Sequence, residues 1–278
     1  MNDMSGKMSA RRRAIRRRNI FLACCALVII ALLALIVFII SAIAKKVEPR
    51  QESSTPSDSQ VSSENVSSEE TGPEYVQRGN YTLDANYTRL LLVNGSNPLP
   101  GESDESLLVE MDDSYRQKGY DLKKFDKDAY PYLQAMCEAA WAENIPLKVC
   151  SPYRSYSIQK MLFDNRVKKE MSNGLSAEEA DAKTATIIAR PGTSEHQTGL
   201  AADFICSNDS FEGMPAFTWM QQHAAEYGFI LRFPKDKQDK TGVIYESWHY
   251  RFVGINEAQK IKASGLCLEE YLEQKSEK

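Results

Sequence analysis

The pattern of apolar and polar positions divides the chain before any single residue is considered. Residues 20–44 form an almost unbroken apolar run with one Ser and no charge. At 1.5 Å per residue a helix of that length is about 37 Å long, enough to cross a hydrocarbon core of about 30 Å with some tilt. The run predicts a single membrane span. Residues 45–79 are rich in Ser, Glu, Thr, Gln and Pro and poor in large apolar residues. Such a segment cannot bury enough surface to offset the entropy of ordering, which predicts a flexible stalk. From residue 80 to residue 278 apolar positions recur with structured periods, which predicts one folded domain.

Within that domain the periods change from segment to segment. Thr88 to Val93 is a β-branched and apolar run closed by Asn94-Gly95, a strand and turn signal. Asp128 to Asn144 places Ala129, Leu133, Met136, Cys137 and Ala140 at helical spacing, with Pro131 tolerable only in the first turn. Pro146 to Cys150 reads as a short strand, after which Ser155 or Ser157 caps a helix running to about Met171. A helix is predicted over Ser176 to Ala189 and a strand over Leu200 to Cys206. Pro215 to Tyr227 is predicted helical with Gly228 as its stop, Trp248 to Val253 a strand, and Asn256 to Ser264 the last helix. Strands and helices do not alternate regularly. The expected class is therefore α+β, a small and mainly antiparallel sheet with flanking helices.

Charge adds an orientation. Seven Lys/Arg precede the apolar run and only Lys45 and Lys46 follow it, so residues 1–19 read as cytoplasmic and residues 80–278 as extracellular. The competing reading, a cleaved signal peptide, fits less well, since its apolar region is usually about 7–15 residues long. Beyond residue 46 the chain carries 25 Lys/Arg against 37 Asp/Glu, an acidic balance that argues against nucleic acid as a partner. Cys137, Cys150, Cys206 and Cys267 lie in apolar neighbourhoods without C-x-x-C spacing and read as small buried hydrophobes.

The candidate chemistry lies in two stretches. The chain has only three histidines, and two of them stand near a carboxylate: His196 with Asp203 seven residues on, and His249 with Glu246 three residues before it. Two neutral imidazoles and one carboxylate form a common ligand set for a catalytic zinc. His196, Asp203 and His249 are the expected ligands, and Glu246 is left as general base for hydrolysis. Seven and three are both odd separations, which on a continuous strand would put the partners on opposite faces. The pairs converge only if His196 and Glu246 sit on bends before their strands, with Thr198-Gly199 supplying the first bend. Along the second strand His249, Arg251 and Val253 share one face, expected to meet a cleft, while Trp248, Tyr250 and Phe252 share the core face. His223 has no such motif and reads as structural. Ser194 could simply cap a turn, and Arg154 could simply pair with an acidic neighbour.

These motifs give the chain a family likeness. Ser194-x-His196-x-Thr198-Gly199-x-Ala201-x-Asp203, Glu246-x-Trp248-His249-Tyr250-Arg251, Tyr153-Arg154-Ser155-x-x-x-Gln159 and Tyr227-Gly228-Phe229-Ile230-Leu231-Arg232 occur in order. From about Leu91 to Gly254 the chain resembles the VanY-type D-alanyl-D-alanine carboxypeptidases and their L,D-carboxypeptidase relatives. The resemblance implies the small α+β fold shared with the zinc-bearing Hedgehog signalling domain, and Zn2+ held by His196, Asp203 and His249. It implies Glu246 as the base, and Arg154, Gln159 and Ser194 as substrate-binding residues. It also implies hydrolysis of the terminal D-Ala of peptidoglycan stem peptides at a bacterial surface, or trimming of tetrapeptide stems. The Hedgehog likeness leaves a non-catalytic, zinc-stabilised wall-binding module as the alternative of another class, and the intact Glu246 favours the enzyme. Ser247 departs from the Pro common between Glu and Trp.

Overall fold

A computed structural model describes residues 72–277 of the chain. The predicted cytoplasmic segment, the membrane span and the stalk as far as residue 71 lie outside the described residues. Among the described residues no helix is long and apolar enough to cross a membrane.

Structure begins earlier than residue 80. Strand β1 (Tyr75–Arg78) lies in the last residues of the segment read as stalk and pairs antiparallel with β2 (Tyr81–Asp84), at the start of the predicted domain. Gly79 takes a positive φ at its turn, and Leu83 is buried. The Ser/Glu-rich composition upstream obscured a four-residue strand. A second hairpin pairs β3 (Leu108–Glu110) with β4 (Lys124–Asp126).

The remaining elements are α1 (Tyr130–Ala142), β5 (Val149–Ser151), α2 (Tyr156–Ser172), α3 (Ala177–Ala185), β6 (Ala201–Phe204), α4 (Pro215–His223), β7 (Phe229–Leu231), α5 (Gln238–Thr241), β8 (His249–Phe252), α6 (Ile255–Ser264) and α7 (Leu268–Ser276). The local signals account for most of their ends. Pro131 lies in the first turn of α1, and Ser155 accepts from the Ile158 amide at 3.3 Å to open α2. Ser176 and Glu179 form a capping box on α3. Gly228 turns left-handed after the 3-10 turn that ends the α4 segment.

The central sheet is wholly antiparallel, in the order β5-β6-β8-β7. Its strands have only three or four residues, and strands this short hold together through what covers them. On one face Phe204, Tyr250 and Phe252 pack into a core with Leu133 and Met136 of α1 and Met220 of α4. A smaller cluster joins Ile230 and Val253 to Ala258 and Ile261 of α6 and Leu268 of α7.

Three expectations are corrected. Thr88 to Val93 is not a strand: the Arg89 amide donates to the Val253 carbonyl, and the carbonyls of Arg89 and Leu91 accept from the Arg251 guanidinium. A buried arginine thus takes the bonds that a partner strand would have taken. The cleft expected at His249 does not extend along that face of β8, since Arg251 is wholly inaccessible and Val253 is packed in the smaller cluster. Nor is the helix ending at Ser264 the last one, because α7 follows it. The four cysteines are free, and Cys137, Cys150 and Cys267 are buried, as their apolar neighbourhoods predict.

Candidate metal centre

Two adjacent strands bring two of the predicted ligands together. Asp203 on β6 and His249 on β8 are direct cross-strand partners, so their side chains leave the sheet on the same face. His196 arrives from outside the sheet. It sits in a 3-10 turn, Glu195–Thr198, and the chain then reverses at Gly199 with φ 73° before entering β6. The bend required by the seven-residue spacing is therefore present at Thr198-Gly199. A Cβ on Gly199 would meet the Asp126 amide nitrogen at 2.9 Å and Leu108 Cδ2 at 2.6 Å. Gly199→Ala is expected to lose about 1–3 kcal/mol from the left-handed backbone alone, with the clash adding to it. A denaturation midpoint within error of the parent chain would contradict that account of the bend.

The three donor atoms form a tight triangle. His249 Nδ1 lies 2.9 Å from Asp203 Oδ1, His196 Nε2 lies 3.2 Å from His249 Nδ1, and His196 Nε2 lies 3.3 Å from Asp203 Oδ1. Ligands at about 2.0–2.1 Å from a tetrahedral zinc stand about 3.3 Å apart, so the triangle fits one face of such a site with slight closure. The donors also point the right way. His196 donates its Nδ1 proton to the Pro152 carbonyl at 2.8 Å, which leaves Nε2 with a free lone pair. Asp203 Oδ2 accepts from the Ser207 hydroxyl at 3.0 Å and faces the Arg154 guanidinium at 3.5 Å, leaving Oδ1 for the triangle. His196, Asp203 and His249 form a buried candidate metal site.

Electrostatics favour ligation at His196 and Asp203 and set a proton against the metal at His249. Burial, with the charge of Arg154, lowers the His196 pKa to about 4, so its ring is neutral at pH 7. Burial disfavours the Asp203 carboxylate, but the two histidines outweigh this and hold it well below the ordinary carboxylate range. Burial also opposes charge on His249, yet the carboxylates of Asp203 and Glu195 raise it to about 9. Ligation needs the deprotonated Nδ1, so metal and proton compete there.

Glu246 lies on the loop before β8, as its three-residue spacing from His249 requires. Its amide donates to the Phe233 carbonyl at 3.2 Å, and its Oε2 stands 3.8 Å from His249 Nδ1. Burial, reinforced by Asp203 and Glu195 against the opposing charges of His249 and Arg154, pushes its pKa up to about 7. A general base works best when its pKa lies near the working pH.

The remaining predicted residues gather around this centre. Arg154 follows β5, donates to Gln159 Oε1 at 3.0 Å and reaches Asp203. Gln159 is buried in α2 and donates to the Ala189 carbonyl at 2.7 Å. Ser194 is buried at the start of the 3-10 turn, and its side chain makes no capping bond. His223 lies apart and pairs with Glu226 at 3.0 Å, a local contact within four residues. Sequence reasoning missed three partners of the ligands: the Pro152 carbonyl, Ser207 and Glu195. Glu195 is adjacent to His196 in the quoted motif, but adjacency carried no sign of what its carboxylate meets.

The chain is similar to several known carboxypeptidases. A profile of the VanY family, D-alanyl-D-alanine carboxypeptidase, matches residues 122–255. A D-alanyl-D-alanine carboxypeptidase of Enterococcus faecalis is 39% identical over 183 residues, covering 66% of this chain and 65% of that enzyme. The match thus spans about two thirds of that relative's length. A VanY D,D-pentapeptidase variant from a VanB-type resistance cassette, solved with Zn(II), has a TM-score of 0.56 at 39% identity, over 66% of this chain and 98% of that one. The LdcB LD-carboxypeptidase has a TM-score of 0.59 at 35% identity, over 72% of this chain and 94% of that one.

Proposed function

Because this chain belongs to the VanY family of D-alanyl-D-alanine carboxypeptidases, we propose that it is a zinc carboxypeptidase that removes the terminal D-Ala from peptidoglycan stem peptides. The observation that carries this reading is the donor triangle of His196, Asp203 and His249, with a buried carboxyl, Glu246, 3.8 Å from one of its corners. A structural metal site has no use for a fourth titratable group poised near neutrality, whereas a hydrolase does.

When bound, zinc supplies Lewis-acid polarisation of the scissile carbonyl and acidifies a water molecule. The chain's own residues divide the other tasks. Glu246 takes the proton from the attacking water and returns it to the departing D-Ala amine. Arg154, anchored to Gln159, presents a guanidinium whose planar fork suits the terminal carboxylate of the substrate. Ser194 binds the substrate or the developing oxyanion in this reading, supported by a hydroxyl uncommitted to capping two residues before His196.

Residues 20–44 anchor the enzyme, and the stalk holds the catalytic domain outside the membrane where wall peptides are met; the support for this is the apolar run and its charged flanks. The likeness to LdcB favours a second reading, cleavage of the L,D bond of tetrapeptide stems. One experiment separates them. The full chain, loaded with zinc, is given pentapeptide and tetrapeptide stems, and free D-Ala is followed. Release from the pentapeptide is expected to be the faster. Faster release from the tetrapeptide would select the L,D reading, and no release from either with zinc bound would remove the peptidase claim.

A further inference from the structure

Each corner of the donor triangle is held from behind, and for His249 the holder has the form of a buried charge network. Glu195 is only 3% exposed. Its Oε1 accepts a hydrogen bond from Arg232 Nε at 2.7 Å and forms an ion pair, without hydrogen-bond alignment, with Arg251 Nη1 at 2.9 Å. Its Oε2 has no hydrogen-bond partner, and neither has His249 Nε2, although both atoms are buried. These two orphans face one another at 3.7 Å. An N–H···O bond forms at about 2.7–3.2 Å, so a movement of less than about 1 Å satisfies both atoms, each otherwise costly to leave unpaired.

We propose that Glu195 is a positioning residue for the metal centre: its Oε2 receives the Nε2 proton of His249, which fixes the tautomer and turns Nδ1 toward Asp203 and His196. The carboxylate is itself immobilised. Arg232 is clamped from the far side by Glu269 of α7, with Nη1 to Oε2 at 2.8 Å and Nη2 to Oε1 at 2.6 Å. Arg251 is held by the carbonyls of Arg89 and Leu91. With Oε1 pinned between two arginines, Oε2 can aim only at the imidazole. Glu195 and Glu269 also balance Arg232 and Arg251, so the network is neutral and needs no positive charge from His249. Partners of this kind behind a ligating histidine typically account for about 10- to 100-fold in metal affinity.

A purely structural role, counter-ion to two buried arginines, makes a different prediction. In Glu195→Gln the arginines retain the one remaining oxygen as acceptor, which turns the amide NH2 onto His249 Nε2–H, donor against donor. In the double variant Glu195→Gln/Arg251→Met one positive charge leaves with the negative one, and Arg232 keeps Glu269 as its partner. Zinc affinity of the full chain is measured by competition with a chromogenic chelator, alongside the thermal midpoint. The single variant is expected to bind zinc about 10- to 100-fold more weakly. The double variant is expected to recover thermal stability but not zinc affinity. Recovery of wild-type affinity in the double variant, or undiminished affinity in the single one, would overturn the assignment.

A measurement on the unmutated protein stands independently of how the variants fold. The chain has three histidines, so 15N-histidine labelling of the zinc-loaded full chain yields a spectrum that can be assigned residue by residue. His249 is expected to carry one slowly exchanging proton, on Nε2, shifted downfield by a carboxylate. A proton on Nδ1, or a fast-exchanging one on Nε2, would overturn the assignment. The inference rests on the zinc reading of the site: a wild-type chain that binds no zinc overturns both, whereas zinc binding indifferent to Glu195 overturns this one alone.

Discussion

Glu246→Gln is expected to lower kcat for D-Ala release by about 10²- to 10⁴-fold, the usual contribution of a positioned general base, while zinc content stays at one ion per chain. The expectation follows from where Glu246 stands. Its main chain is fixed by the Phe233 carbonyl, and the His249 amide bonds back to the Glu246 carbonyl at 3.3 Å, so the loop geometry does not depend on the side chain. The donor triangle is closed without it. Gln keeps the volume and polarity but cannot accept a proton, and it removes a carboxyl whose pKa burial has pushed to about 7. Metal analysis together with steady-state kinetics tests both halves of the claim. Retained turnover would take Glu246 out of the mechanism, and lost zinc would move it into the ligand set.

Asp203→Asn is expected to act earlier, on metal occupancy itself. Asp203 is the one anionic member of the triangle, is 3% exposed, and is the direct cross-strand partner of His249. The amide preserves shape and can still accept the Ser207 hydroxyl, so the sheet is expected to fold. What disappears is a buried counter-charge, and removing one partner of a buried ion pair costs about 3–5 kcal/mol. Read as affinity, that is a weakening of about 10²- to 4 × 10³-fold. Titration against a chelator of known affinity measures it, and activity is expected to return only at correspondingly high zinc. Wild-type affinity in this variant would exclude Asp203 from the ligands.

The site was more legible in the sequence than the fold around it, for physical reasons. His196, Asp203, Glu246 and His249 are residue types seldom buried without purpose, and the odd separations between them forced bends that the structure contains at Gly199 and before β8. Periodicity found α1, α2 and α6 because long amphipathic or capped segments average over many positions. It mistook Thr88 to Val93 for a strand, since a strand is defined by its partner and this segment's partner is a guanidinium. It passed over α7, which has nine residues and a Cys in place of the usual hydroxyl or carboxamide cap. The Glu195 network could not be read at all, because Arg232 and Glu269 reach it from 37 and 74 residues away.

The two histidines of the triangle are secured by different means, and this sets how each can change over generations. The ring of His196 is oriented by a backbone carbonyl, that of Pro152, which every possible residue at that position would also supply. No point substitution there deletes the acceptor. The ring of His249 faces a side chain, so a single nucleotide change can weaken or retune it. One half of the centre is thus buffered against mutation, and the other is the half through which selection can adjust how tightly the metal is held.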